Sequence, residues 1–155
     1  MTFIDECKKQ LENEKENYRT EKMIIDRIMP RIQNEIKLQL MREENTLQGI
    51  PFINSDAAVD FLSITKAKAM TLFSQPDYID FYSNLNFHTD LNLPFVEKYF
   101  AERLIELGCQ IKEVSILSKP ATYKEKIEKE ILFFTKEKIK FYQVDRYLLY
   151  LDVYW

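Results

Sequence analysis

Residues Lys138–Trp155, KIKFYQVDRYLLYLDVYW, decide the class of fold. Tyrosine, leucine and valine crowd this tail. Tyr147, Leu149, Leu151, Val153 and Trp155 recur at every second position, the period of a strand with one face turned inward. The segment reads as a β-hairpin turning near Asp145, so the chain ends on structural sheet.

Cys109–Leu117 alternates through Ile111, Val114 and Ile116 and reads as another strand, with Lys112 and Glu113 marking a bulge or a change of register. Lys119 and Pro120 break it. Thr122 with Glu125 spells a capping box for a helix reaching about Phe134, with Tyr123, Ile127, Ile131 and Phe134 on one side. Upstream, the run PFVEKYFAERLIEL starting at Pro94 is a helix that opens on proline and is stopped by Gly108.

The stretch Ala58–Tyr78, AVDFLSITKAKAMTLFSQPDY, reads as two short helices about a three-residue turn. Asn54, Ser55 and Asp56 start the first helix after a short apolar strand at Gly49–Ile53. Thr65 caps the second helix. Lys66 and Lys68 leave its first turn outward with Thr71 beyond them, where a recognition helix meets DNA. From Thr2 to about Glu44 the apolar positions fit one long amphipathic helix, kinked or split at Pro30. Its first half, to Arg19, is rich in charge and reads as an arm that projects or pairs with a second copy. The architecture is therefore α+β: a helical arm over 1–48, a helix-turn-helix-like region over 49–107 and an α/β region over 108–155, or one compact domain throughout.

With 155 residues, 46% hydrophobic and only two glycines, the chain can bury a core and is poor in loops. No apolar run is long enough for a membrane span, and the start MTFIDECKKQ lacks the apolar core of a secretory signal. A cytoplasmic address is expected. Cys7 and Cys109 read as free thiols. The net charge is −3, but residues 1–49 carry 9 basic and 10 acidic groups, 50–118 carry 5 and 9, and 119–155 carry 8 and 6. The middle segment, where the helix-turn-helix reading lies, is the most acidic, opposite to what phosphate binding favours.

Few residues of the chain could carry catalytic chemistry. His88 beside Asp90 reads as a hydrogen-bonded loop residue among aromatics. The pairs Asp77/Asp80 and Glu125/Glu128 could share a helical face, but they lack a third metal ligand and read as solvated surface. No glycine-rich loop exists to cradle phosphate. The expectation is a non-enzymatic chain with no metal and no cofactor.

LSITKAKAMTLFSQPDY resembles the winged helix-turn-helix of excisionases and MerR-type regulators, over roughly residues 55–105. Leu62, Ser63, Ile64 and Thr65 occupy the turn positions of that family, although Ser63 replaces its turn glycine and Val59 a small alanine. The wing-like segment DFYSNLNFHTDLN has no lysine or arginine. The resemblance implies DNA binding through Thr65, Lys66, Lys68 and Thr71. In size, acidic balance and Lys/Ile/Tyr/Asn-rich composition the chain is also similar to small phage and mobile-element inhibitors, anti-CRISPR proteins among them. That resemblance implies a host protein with a basic surface as partner, docked on an aromatic and acidic face containing Tyr150, Asp152 and Tyr154.

Overall fold

The computed structural model describes residues 1–54, 56–74, 91–131 and 134–155. Helices α1 (Phe3–Asn17) and α2 (Arg19–Met41) open the chain. Strands β1 (Thr46–Ile53) and β2 (Val59–Ser63) follow, then α3 (Lys66–Phe73), α4 (Leu93–Glu106), β3 (Gln110–Ile131) and β4 (Phe134–Tyr154). The strands form one antiparallel sheet in the order β2-β1-β4-β3. The fold is α+β, with helix at the N-terminus and sheet at the C-terminus.

Alternation along β4 builds a core on each face of this sheet. Leu149, Leu151 and Val153 pack against α2 and α4 through Ile25, Ile28, Ile32, Val96, Phe100 and Leu104, all fully buried. Trp155 packs at the edge of the same cluster. Leu148 and Tyr150 face the other way, where Ala69 and Phe73 of α3 meet Ile50 of β1. The first core draws on all three segments of the chain, 1–48, 49–107 and 108–155.

Three local readings are corrected. First, α2 runs unbroken through Pro30, and the chain divides instead at Tyr18. Proline removes one backbone donor, but Ile28, Met29 and Ile32 are buried on either side while Pro30 is exposed, and that packing carries the helix across.

Second, Val59–Ser63 is strand, so the first helix of the helix-turn-helix reading is absent. The signals taken for a helix start belong to a turn. Asn54 Oδ1 accepts from the N–H groups of Asp56 and Ala58, and Ala57 takes a left-handed φ of 59°. An asparagine that bonds the backbone just ahead competes with helix in this way. The strand then pairs closely with β1, because a Cβ on Gly49 would lie 2.1 Å from the Leu62 carbonyl oxygen.

Third, residues 122–131 are strand and not helix. Asp145 is not a turn: it pairs with Pro120, and the pairing continues to Ile131↔Phe134. Pro120 is tolerated because β3 is, among the described residues, an edge strand of the sheet.

The helix ends follow their local signals. Thr65 caps α3 by accepting from the Lys68 N–H, and Asn92 caps α4 by accepting from Phe95 N–H at 3.0 Å. Gly108, at φ 97°, ends α4 with bonds from Gly108 N–H to Ile105 and from Cys109 N–H to Leu104, the paired closure of a Schellman motif. Buried Glu21 of α2 accepts the Asn92 N–H at 3.1 Å, tying α2 to the start of α4.

Further along this junction, the Tyr99 hydroxyl donates to Asp26 at 2.7 Å, and Lys22 lies over the Phe95 and Tyr99 rings. Burial, reinforced by the bond to Asp26, pushes the Tyr99 hydroxyl up to about 12. Folding thus favours its neutral form: the contribution is complete below the unfolded value near 10 and is lost as pH rises toward 12. Chemical denaturation should show stability falling across that window, and Tyr99→Phe should flatten the fall.

Candidate functional site

Strands in globular proteins are usually three to ten residues long. β3 has 22 residues and β4 has 21. β1 pairs with β4 only from Thr46↔Tyr154 to Gly49↔Leu151, and the packed faces end near Leu117 and Leu148. From Lys119↔Arg146 outward the two strands pair, among the described residues, with each other alone, in unbroken register to Ile131↔Phe134. At roughly 3.3 Å per residue this two-stranded ribbon runs about 40 Å past the packed sheet.

Directly opposed residues of an antiparallel pair share a face, and successive residues alternate. Following Leu117↔Leu148 outward along the α3-side face, the register gives Lys119↔Arg146, Ala121↔Val144, Tyr123↔Tyr142, Glu125↔Lys140, Ile127↔Lys138, Lys129↔Lys136 and Ile131↔Phe134. The alternate face carries Pro120↔Asp145, Thr122↔Gln143, Lys124↔Phe141, Lys126↔Ile139, Glu128↔Glu137 and Glu130↔Thr135. The charges are sorted between the two. One face has six basic residues against Glu125 alone, and the other has Lys124 and Lys126 against Asp145, Glu128, Glu130 and Glu137. Residues 119–146 hold 8 basic and 5 acidic groups in all, while the rest of the chain holds 14 and 20. A basic ribbon leaves an acidic body.

The residues singled out from sequence lie elsewhere. Lys66 is paired with Glu113 of β3, so it is not a free DNA contact. Thr71 turns its hydroxyl back to the Ala67 carbonyl at 3.0 Å. Lys68 and Thr71 are exposed on the wall of an open apolar hollow of about 320 Å³, which Ile64, Ala67 and Leu72 complete. Tyr150 is 1% exposed and cannot belong to a docking surface. Its hydroxyl accepts from Gln48 Nε2 at 2.6 Å, and burial pushes it up despite that bond. Asp152 is largely buried, 4.0 Å from the Lys112 ammonium, and only Tyr154 of the three is exposed.

Asp77, Asp80, His88 and Asp90 lie outside the described residues. Among the described residues no group of three or more His, Cys, Asp or Glu is placed to hold a metal ion, and no helix is long and apolar enough to cross a membrane. Burial pushes the Cys109 thiol up, away from the reactive thiolate.

The residues that sequence reasoning missed are the ribbon's own: Lys119, Lys129, Lys136, Lys138 and Lys140, with Tyr123 and Tyr142. A signal was present in KEKIKF, where Lys136, Lys138 and Lys140 alternate with Glu137, Ile139 and Phe141. The register is open to a direct check. In a Cys7→Ser/Cys109→Ala background, Glu128→Cys with Glu137→Cys should oxidise to an intramolecular disulfide, since opposed Cα atoms lie about 4.5–5.5 Å apart. Glu128→Cys with Lys136→Cys should not, because that pair straddles the two faces. No protein-family model, no curated protein and no solved structure matches the chain.

Proposed function

We propose that this chain is a non-enzymatic interaction protein, an inhibitor or regulator of the kind that phages and mobile elements use in the cytoplasm, and that its β3–β4 ribbon is the part that touches the partner. One observation carries this reading: a paired ribbon about 40 Å long extends beyond the packed sheet, with charge segregated by face. Strands of globular proteins seldom run so far, so the length of this pair calls for a role of its own. A two-stranded ribbon of this length can enter a groove on another macromolecule.

The earlier docking face of Tyr150, Asp152 and Tyr154 gives way to the ribbon, because Tyr150 is in the core. A helix-turn-helix mode of DNA reading through Lys66 and Lys68 is not retained, because β2 stands where its first helix was needed. Self-association along α1 remains part of the proposal: Phe3, Ile4 and Leu11 are exposed on that helix.

The test is a ribbonless chain in which residues 122–143 are replaced by an Asn-Gly turn joining Ala121 to Val144, an opposed pair. Both cores lie outside the deletion, so circular dichroism and cooperative melting should be preserved. Affinity capture from cells of the source should recover a macromolecule with the full chain and lose it with the ribbonless chain. Equal recovery by the two proteins would refute the reading.

A further inference from the structure

We infer that the partner of the ribbon's basic face is a nucleic-acid duplex, held through its phosphates. The inference rests on the ribbon being the contact element and names what that element takes. Leaving Arg146 aside as buried, the face carries Lys119, Lys129, Lys136, Lys138 and Lys140 against the single acid Glu125.

The chemistry of that set favours nucleic acid over an acidic protein. Protein interfaces are depleted in lysine and draw their energy from arginine and buried aromatic anchors. Lysine, a compact strongly hydrated charge, serves phosphate well as a point contact. The spacing fits too. Lys136, Lys138 and Lys140 follow one another every second residue, about 6.7 Å apart along the strand, close to the rise of two base pairs. About 40 Å of ribbon covers a little over one duplex turn of about 34 Å. A two-stranded β-ribbon is one of the shapes the major groove of about 12 Å admits. Tyr123 and Tyr142 are opposed in the register at positions of the same face.

The remainder of the chain carries 14 basic against 20 acidic groups, a net charge that disfavours phosphate and so favours approach by the ribbon. Repulsion by the body and attraction by one ribbon face leave a single productive orientation. The opposite ribbon face, with four acids against two lysines, turns away from the duplex.

The experiment is fluorescence anisotropy of a labelled mixed-sequence DNA duplex of about two helical turns, titrated with the full chain over a series of salt concentrations. The full chain should bind at low salt with a log–log salt slope of about −4.5, set by its five lysines at roughly 0.9 each. Lys129, Lys136, Lys138 and Lys140 changed together to glutamine should weaken binding roughly tenfold or more at low salt and bring the slope near −1. Lys124→Gln with Lys126→Gln, on the other face, should leave both quantities unchanged. Thermal melting of each variant checks that folding is intact.

Failure of the full chain to bind, or equal losses per lysine from the two faces, would overturn the inference. If the duplex fails while a protein is captured in a ribbon-dependent, nuclease-resistant manner, the nucleic-acid inference falls and the interaction reading stands. Duplex binding that survives unchanged in the ribbonless chain would overturn both.

Discussion

The C-terminal stretch of β4 is paired along both edges and buried on both faces. Leu151 and Val153 lie between β1 and β3, while Leu149 and Leu151 meet one pair of helices and Leu148 and Tyr150 meet α3. Each fully buried Leu or Val side chain contributes about 1.5–3 kcal/mol at most, so this short run holds a large share of the hydrophobic stabilisation. β1 is aligned by it, β2 by β1, and α2, α3 and α4 by the two faces that these strands create. The Trp155 N–H donates to the Asn45 carbonyl at 3.1 Å, closing the strand against the start of β1.

The same strand, followed backward beyond Arg146, pairs among the described residues with β3 alone. An isolated two-stranded hairpin is marginal in water, so the ribbon depends on being clamped at its base by the buried end of β4. The clamp also sets its register, and register decides which charges share a face. A slip of one residue along either strand would mix the lysine face with the acidic one. Packing in the body therefore determines the electrostatics of the arm.

Much of the body was legible in the sequence. The two-residue period from Tyr147 to Trp155 named a strand face, Gly108 and Pro94 bracketed α4, and Thr65 capped the helix it preceded. The ribbon was not legible, for a specific reason. Tyr123, Ile127 and Ile131 stand four apart, and residues four apart share a face in a helix and in a strand alike, so their spacing could not choose. The capping-box residues Thr122 and Glu125 tipped the reading to helix. Leu132 and Phe133, between the strands, include none of the Gly, Asn or Asp that announce a tight hairpin. Tyr150 was misplaced because a sheet covered on one face was assumed. Only the return of α3 and Ile50 from distant sequence shows that the second face is covered too.

The ribbon requires residues 118–131 to be extended. Spin labels on Ser118→Cys and Glu130→Cys, with Cys7 and Cys109 replaced, measure this in the full chain by pulsed dipolar spectroscopy. Strand geometry predicts a separation of about 40 Å between the two backbone positions. A single distribution near about 18 Å, the length of a helix over the same residues, would contradict the ribbon and every conclusion that stands on it.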